Sequence, residues 1–334
     1  MNKRVSVVGT TTWGTTIAIM LSRRGVPVSM LARSQAESNQ LNDAKEHVRF
    51  LPGVVFPRNL HVSSDISQAI TSSDLIIIAV PSNSFRANVS LIKPFLSRGI
   101  PVMSATKGLE IGSNKRMSEI LMDELDHELH DCICVLSGPN LAKEIVAGNP
   151  ASAVIASDYP DSARAAQDIL TSATFRAYVS RDVIGVELAG ALKNVIALGA
   201  GFCDGLSIGD NAKGAFITRG LAEMSRLGVA LGAQPVTFAG LAGIGDVIAT
   251  CSSSLSRNHY VGEQLAMGRT LKQISESMDN VAEGVNTTRA AFELSHYLNV
   301  EMPIVNVTYN VLFEELSPKE AVSRLMERPV GFEQ

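Results

Sequence analysis

The chain has 334 residues, with 29 Lys and Arg against 33 Asp and Glu, and therefore a formal net charge of −4. This length predicts two domains. With 46% hydrophobic and 19% charged residues, the composition is that of a globular protein with a hydrophobic core and not that of a disordered chain. A pI near 5.9 without a basic stripe argues against nucleic-acid binding. We find no signal-peptide pattern and no apolar run near the roughly 18 residues that a membrane span needs, so we expect a cytoplasmic protein.

The first half of the chain alternates short apolar runs with stretches of helical periodicity. The predicted strands are 4–8, 27–31, 75–80, 101–105, 132–136 and 151–156. The predicted helices are 15–24, 35–46, 115–128 and 161–170. The run 75–80 is apolar throughout, as strands buried on both faces are. This alternation predicts right-handed crossovers and a mostly parallel sheet covered by helices on both sides.

Cysteine and histidine residues in this half do not indicate a metal site. Cys132 and Cys134 alternate within a predicted strand, and the chain has only 4 cysteines, without C-x-x-C spacing. His127 and His130 lie three residues apart among acidic residues, which favours a solvated helix face over a metal site. We therefore expect no metal.

After about residue 182 the pattern becomes purely helical. Predicted helices cover 185–202, 215–227, 261–266, 271–277, 287–298 and 305–316, and no strand is predicted after Ser180. We therefore expect an α/β domain at 1–182 and an all-α domain at 183–334.

The turn after the first strand is the first candidate site. Gly9 and Gly14 fill the outer places of a three-glycine phosphate-binding turn, which precedes the N-terminus of a helix, and Thr11 occupies the middle place. A positive φ at a β-branched residue would be strained by roughly 1–3 kcal/mol, so Thr11 is expected to weaken binding unless the turn relaxes or neighbouring threonine hydroxyls donate to the phosphates. A turn without a ligand is the alternative.

The end of the second strand should face the adenosine ribose of a dinucleotide. Arg33 stands there, and no carboxylate follows before Glu37. An arginine accommodates a 2′-phosphate, so Arg33 predicts NADPH preference or dual specificity. A surface arginine without this role is the alternative.

Two further segments end neighbouring strands at the edge where ligands bind to open α/β sheets. They are 104–108, which contains Lys107, and 137–140, which contains Gly138 and Asn140. Each alone is compatible with ordinary turn chemistry, but together they predict a shared site.

The helical half supplies two candidates for substrate chemistry. Lys193 and Asn194 interrupt an apolar helix, and a buried ammonium needs partners or loses its proton, which suits a general base. Snorkelling of Lys193 to water is the alternative.

The second candidate lies further along the helical half. Asp246 and Thr250 precede Ser256-Arg257-Asn258, whose hydroxyl, guanidinium and amide suit a phosphate ester, although Ser256 also fits a helix N-cap.

Taken together, these segments resemble bacterial NAD(P)-dependent sn-glycerol-3-phosphate dehydrogenase. The matching stretches run over nearly the whole chain: 13–15, 50–53, 105–110, 137–139, 192–197, 217–224, 243–246, 256–258 and 281–284. The resemblance implies a Rossmann-like sheet domain followed by an all-α domain, NAD or NADP as cofactor, a cytoplasmic homodimer, and reduction of dihydroxyacetone phosphate for phospholipid synthesis.

The resemblance also implies roles for individual residues. Contacts to the dinucleotide fall on Thr12, Trp13, Arg33, Lys107, Ala142, Arg257, Val281 and Glu283. Contacts to the substrate fall on Lys107, Gly138, Asn140, Lys193, Asp246, Ser256, Arg257 and Asn258, with Lys193 as proton acceptor and Lys107 polarising the carbonyl oxygen. Thr11, Asn140 and His47 depart from the family pattern.

Two other functions stay open from the sequence. A related two-domain enzyme acting on another 2-hydroxy acid or sugar acid would share this plan. A non-catalytic dinucleotide-binding paralogue is supported only by Thr11.

Overall fold

The computed structural model describes residues 3–278 and 282–329. The chain divides into two units, Met1–Glu187 and Leu188–Gln334.

An eight-stranded sheet forms the first unit, in the order β10-β9-β8-β7-β6-β1-β2-β5, beside a two-stranded hairpin of β3 and β4. The strands are β1 (Val5–Val8), β2 (Val28–Leu31), β3 (Glu46–His47), β4 (Leu51–Val55), β5 (Leu60–Ser63), β6 (Leu75–Ile78), β7 (Val102–Ser104), β8 (Ile133–Ser137), β9 (Ala151–Ala156) and β10 (Phe175–Ser180). The helices of this unit are α1 (Thr12–Arg23), α2 (Gln35–Ala44), α3 (Ile66–Ile70), α4 (Phe85–Ile92), α5 (Met117–Glu124), α6 (Ala142–Val146) and α7 (Pro160–Leu170).

The topology places the ends of four strands at one edge. The chain passes from β1 to β2 and β5 on one side and then returns to β6, so the strand order reverses between β1 and β6. Strands β1, β6, β7 and β8 run parallel, so their carboxyl ends meet at this edge. This is where open α/β sheets bind ligands.

The predicted mostly parallel sheet is confirmed, and each of the six predicted strands is present. Strands β9 and β10 run opposite to the other six strands, because β9 pairs with β8 in the antiparallel direction and β10 is parallel to β9. The connection 138–150 contains only a five-residue helix, whereas the crossover between two parallel strands usually contains a full helix.

Several predicted helices have different limits. The helix predicted at 115–128 ends at Glu124, because Leu125 takes an extended backbone with φ −85° and ψ 152°. His127 and His130 then lie on a 3₁₀ turn, with ring centroids 5.1 Å apart. Within residues 3–278 and 282–329, no group of three or more His, Cys, Asp or Glu side chains is arranged to hold a metal ion.

Helices make up the second unit, and its described residues contain no strand, as predicted. The helix α8 (Val183–Gly205) leads into this unit, and the others are α9 (Asp210–Ala230), α10 (Pro235–Phe238), α11 (Asp246–Ser252), α12 (Arg257–Ala266), α13 (Leu271–Glu276), α14 (Glu283–Tyr297), α15 (Pro303–Phe313) and α16 (Pro318–Met326). A π-helical segment, Leu241–Gly245, connects α10 to α11.

Two segments are long and apolar enough to cross a membrane by length and composition alone. Helix α8 is 89% buried over the relevant window, as the core helix of a soluble protein is. The segment Pro235–Ser252 is broken at Gly243, whose φ of −89° and ψ of −106° are not helical. Neither segment therefore indicates a membrane span.

Glu223 on α9 is a buried carboxyl that caps a second helix. Its oxygens accept hydrogen bonds from the amides of Ile304 at 2.8 and 3.0 Å and of Val305 at 3.3 Å, at the start of α15. Burial raises the pKa of Glu223 from 4.5 to about 7, although these amides act to lower it.

We expect this carboxyl to make stability depend on pH. The folded pKa lies above the unfolded one, so its stabilising contribution is present below pH 4.5 and is lost as pH rises to about 7. At about 1.4 kcal/mol per pKa unit, the loss reaches up to about 3 kcal/mol. Glu223→Gln should flatten this slope in urea unfolding measured across that range, whereas Glu276→Gln, at an exposed position, should not. An unchanged slope in Glu223→Gln would refute the assignment.

Candidate active site

The turn between β1 and α1 requires both of its glycines. Gly9 has a φ of +105°, and a Cβ there would lie 2.7 Å from Val80 Cγ1 and 2.8 Å from the carbonyl oxygen of Ala79. At Gly14, a Cβ would collide with the carbonyl oxygen of Gly9. The turn is therefore as tight as a phosphate-binding turn must be, and it opens onto the N-terminus of a 12-residue helix.

Thr11 is the N-cap of α1, and the expected backbone strain is absent. Its φ is −67° and its ψ is 167°, an ordinary extended conformation. Its hydroxyl accepts a hydrogen bond from the amide of Gly14 at 3.1 Å and donates to the carbonyl of Ala79 at 2.6 Å. The threonine therefore satisfies a helix-end amide instead of distorting the turn.

The other threonines of the turn differ in their availability to a ligand. The hydroxyl of Thr10 donates to Glu37 at 2.9 Å, so neither Thr10 nor Thr11 has a hydroxyl proton left for a phosphate. This corrects the expectation that any of the three donates to phosphates and leaves Thr12, which begins the helix. Trp13 follows, and its buried indole Nε1 has no hydrogen-bond partner within the described chain.

We expect replacement of Thr11 to affect stability more than cofactor binding. Thr11→Ala should lower the free energy of unfolding by about 1 kcal/mol, the usual cost of a lost N-cap. Thr11→Gly should improve cofactor affinity by less than threefold, because no strain is relieved. Titration of Trp13 fluorescence and urea unfolding measure the two effects. Asp65→Ala is a matched control, because Asp65 caps α3 through Gln68 N at 3.1 Å. A gain above tenfold in Thr11→Gly would contradict this account.

Arg33 follows β2, as predicted, but it is not alone there. Its Nη2 and Nε donate to the carboxylate of Glu37 at 2.9 and 3.2 Å, and its backbone amide donates to the same carboxylate at 2.9 Å. Sequence reasoning gave Glu37 no role because it lies four residues further on. A signal was available, since Ser34-x-x-Glu37 has the sequence pattern of a capping box, in which the glutamate folds back towards the residues that precede the helix.

Lys107, Gly138 and Asn140 come together at the ends of β7 and β8. Lys107 Nζ and Asn140 Nδ2 both donate to the carbonyl oxygen of Gly138, at 2.9 and 2.8 Å. Gly138 has a φ of +145°, and a Cβ there would lie 2.9 Å from Ala153 Cα. Asn140 Oδ1 is buried without a partner in the described chain, and Ala142 begins α6 just beyond it.

In the second unit, Lys193 is buried and held by two side chains. Its Nζ donates to Asp246 Oδ1 at 2.6 Å and to Thr250 Oγ1 at 2.7 Å, and the Thr250 hydroxyl donates to Asp246 at 3.2 Å. Lys193 is 8% exposed and Asp246 1%. The ammonium therefore finds partners instead of reaching for bulk water, and its proton donors are fixed in direction.

Local chain geometry places Asp246 opposite this lysine. The chain bends at Gly243, where a Cβ would collide with the carbonyl of Phe238, and α11 begins at Asp246. A carboxylate in the first turn of a helix is stabilised by the helix dipole, and Thr250 lies one turn later on the same face.

Asn194 and Asn258 connect three helices beside the lysine. Asn258 Nδ2 donates to Asn194 Oδ1 at 2.9 Å, and Asn258 Oδ1 accepts from the amide of Gly284 at 3.0 Å. A Cβ at Gly284 would lie 2.8 Å from Asn258 Oδ1, so only glycine permits this contact. The amide of Asn258 thus holds α8, α12 and α14 together and keeps one N–H for a ligand.

Ser256 and Arg257 form the start of α12. The hydroxyl of Ser256 accepts from the amide of His259 at 3.2 Å, so Ser256 is an N-cap and still has its own proton to donate. Desolvation lowers the pKa of Arg257, and Glu283 opposes this by favouring the charged form. Arg257 and Glu283 are thus neighbours, whereas Val281 lies outside the described residues.

Each of the two units has a distinct chemical capacity. The first unit presents a tight turn and a helix N-terminus that suit a dinucleotide pyrophosphate. The second presents a proton donor, Lys193, and a helix start with a guanidinium that suits a phosphate ester.

Comparison with known proteins shows the family to which the chain belongs. The family described as NAD-dependent glycerol-3-phosphate dehydrogenase matches at residues 4–163 with its N-terminal part and at 182–323 with its C-terminal part. The chain is 49% identical to "Glycerol-3-phosphate dehydrogenase [NAD(P)+]" of Dehalococcoides mccartyi (strain ATCC BAA-2266 / KCTC 15142 / 195) over 99% of this chain and 92% of that protein. It is 44% identical to the protein of the same name from Prosthecochloris aestuarii, over 97% and 98%. A crystal structure of glycerol-3-phosphate dehydrogenase from Coxiella burnetii superposes with a TM-score of 0.92 at 33% identity, covering 98% of this chain and 99% of that one.

Proposed function

This chain belongs to the NAD-dependent glycerol-3-phosphate dehydrogenase family, and we propose that it performs the reaction of that family with Lys193 as its proton-transferring group. It is an NAD(P)-dependent oxidoreductase that interconverts dihydroxyacetone phosphate and sn-glycerol 3-phosphate. The observation that carries the assignment of Lys193 is its buried contact with Asp246 at 2.6 Å and Thr250 at 2.7 Å.

The residues of the first unit fit a dinucleotide. Glycines at positions 9 and 14 leave a cradle that a Cβ would fill, next to a helix N-terminus. Thr12, Trp13, Arg33, Lys107 and Ala142 would contact the dinucleotide from this unit, and Arg257, Val281 and Glu283 from the other. When bound, the nicotinamide supplies or accepts the hydride at C2 of the substrate.

Proton transfer follows from the charge beside Lys193. The carboxylate of Asp246 stabilises the ammonium, so Lys193 is ready to donate a proton to the C2 oxygen of dihydroxyacetone phosphate. In oxidation of glycerol 3-phosphate, neutral Lys193 accepts the proton of the C2 hydroxyl. Lys107 is proposed as a second cation that polarises the carbonyl oxygen.

Substrate orientation is assigned to the phosphate end. Arg257 forms a charge-assisted pair with the phosphate, and Ser256 and Asn258 donate from the same helix start. Gly138 and Asn140 are proposed as further substrate contacts on the first unit, and Asn194 positions Asn258. Binding energy from the phosphate then orients the reacting carbon.

The same proposal covers the roles of the two domains, the cellular location and the oligomeric state. We propose 1–182 as the dinucleotide-binding domain and 183–334 as the substrate-binding domain of a cytoplasmic homodimer that supplies glycerol phosphate for phospholipids. Sedimentation equilibrium over a range of protein concentrations measures the oligomeric state.

A spectrophotometric assay tests the function directly. Dihydroxyacetone phosphate should drive oxidation of NADH or NADPH, tested in parallel, whereas 2-keto acids should not. Activity with a 2-keto acid alone would favour a related 2-hydroxy acid dehydrogenase. The non-catalytic alternative rested on strain at Thr11, which has an ordinary extended backbone.

A further inference from the structure

The carboxylate of Glu37 lies between the glycine turn and the end of β2. It accepts four hydrogen bonds: one from the Thr10 hydroxyl, one from the Arg33 amide and two from the Arg33 guanidinium, at 2.9 to 3.2 Å. Two carboxylate oxygens offer about four acceptor positions, so this set satisfies the group completely. Glu37 therefore has one well-defined position beside the cofactor turn.

Glu37 and Arg33 form an ion pair whose two members differ in solvent exposure. The side chain of Glu37 is 16% exposed and that of Arg33 is 81% exposed. Burial acts to raise the pKa of Glu37, but the hydrogen bonds from Arg33 and Thr10 outweigh it, and the pKa lies below its ordinary value. The carboxylate is therefore charged at neutral pH and compensates the positive charge of Arg33.

Helix capping explains only part of this arrangement. In a capping box the glutamate accepts from the amide of the N-cap residue, here Ser34, whereas Glu37 accepts from the amide of Arg33, one residue earlier. The hydrogen bond from Thr10, 27 residues away in the glycine turn, has no role in capping α2. It fixes the carboxylate against the segment that is proposed to hold the dinucleotide.

The position of the Glu37 carboxylate at the end of β2 determines which cofactor group it would meet. The end of the second strand is where dinucleotide folds distinguish a free ribose 2′-hydroxyl from a 2′-phosphate. A 2′-phosphate carries a charge of about −1.5 to −2 at neutral pH. To reach Arg33 it must approach the Glu37 carboxylate and compete with it for a guanidinium fork that is already engaged.

We propose that Glu37 determines cofactor specificity by holding the Arg33 guanidinium and repelling a 2′-phosphate, so that the chain binds NAD(H) in preference to NADP(H). This rests on the proposed dehydrogenase function. It also replaces the expectation from sequence that Arg33 favours NADPH, which treated that arginine as unpaired.

Fluorescence of Trp13, the only tryptophan of the chain and part of the glycine turn, measures binding of each cofactor without turnover. The wild type should bind NADH more tightly than NADPH. Glu37→Gln keeps the size and an acceptor oxygen for Thr10 but removes the charge. We expect the Kd for NADPH to fall at least tenfold and the Kd for NADH to change less than threefold.

Two more variants separate the proposed role from a structural one. Arg33→Ala alone leaves the Glu37 carboxylate without its cation, so it should raise the Kd for NADPH, whereas in the Glu37→Gln background it should abolish the gain. Glu119→Gln is the matched control, because Glu119 accepts from the amide and the guanidinium of Arg116 at the start of α5. Its ratio of Kd values should equal that of the wild type.

The outcomes distinguish failure of the specificity role of Glu37 from failure of the proposed dehydrogenase function. A wild type that prefers NADPH tenfold, or Glu37→Gln that weakens both cofactors equally or leaves their ratio unchanged, overturns the specificity role and leaves the dehydrogenase function intact. Failure of the wild type to bind either cofactor at millimolar concentration overturns the proposed function itself.

Discussion

Lys193→Met is expected to lower kcat by about 10²–10⁴-fold, the range for loss of a general acid or base. The KM for dihydroxyacetone phosphate should change much less, because the phosphate group supplies most of the binding. The reason is geometric: the ammonium is fixed by Asp246 and Thr250 at 2.6 and 2.7 Å, and no other proton donor is assigned to this position. Steady-state kinetics in the reductive direction measures both constants.

Interpretation of this variant needs a second substitution. Removal of the lysine leaves the Asp246 carboxylate buried without its cation, and breaking a buried pair costs about 3–5 kcal/mol. Lys193→Arg keeps the positive charge, but a guanidinium does not give up its proton at ordinary pH. It should therefore retain the folded state, checked by thermal unfolding, and still lose at least 100-fold in kcat.

A matched control separates the position from the residue type. Lys115 also pairs with an aspartate, Asp123, at 2.6 Å, but on a partly exposed surface of the first unit. Lys115→Met should leave kcat within a factor of two. If Lys193→Met keeps more than a tenth of the wild-type turnover, Lys193 is not the proton-transferring group.

The sequence predicted best those elements whose burial is complete. Strand β6 is buried at every position, and α8 is apolar along nearly its whole length, so each had an unambiguous pattern. The edge strand β10 was missed, although its first four residues alternate between buried and exposed. Strand β5 and the hairpin of β3 and β4 are short, and α4 follows a proline turn, so they offered too few periodic residues.

Prediction of the site residues likewise depended on patterns between residues that are close together in the sequence. Glycines 9 and 14 were identified because their spacing is characteristic, and the structure shows why each is required. For Thr11 the strained turn and the relaxed turn both stayed open, because sequence does not reveal which φ a turn residue adopts. The role of Glu37 was not predicted, because its contact with Thr10 is made across 27 residues and depends on the sheet bringing two strand ends together.

Arg257→Ala is expected to raise the KM for dihydroxyacetone phosphate about 10- to 100-fold, because a charge-assisted hydrogen bond contributes on the order of 1.5–3 kcal/mol. Arg257 is the first residue of α12, so in the proposed site the guanidinium and the helix N-terminus would act on the same anion. The effect on kcat should be smaller. Arg257→Lys keeps the charge but loses the planar fork, and it should therefore show an intermediate KM.

The phosphate itself provides the decisive comparison for Arg257. Dihydroxyacetone lacks that group, so its kcat/KM should be nearly the same in wild type and in Arg257→Ala, whereas that of dihydroxyacetone phosphate falls. Arg269→Ala is the matched control, because Arg269 lies beyond the opposite end of α12 and bonds to Gln264 and Gln273. Since Arg257 is also proposed to contact the dinucleotide, the KM for the cofactor is measured separately. Unchanged KM values for both substrate and cofactor would remove Arg257 from the site, and an equal loss with and without the phosphate would assign it a structural role at the start of α12.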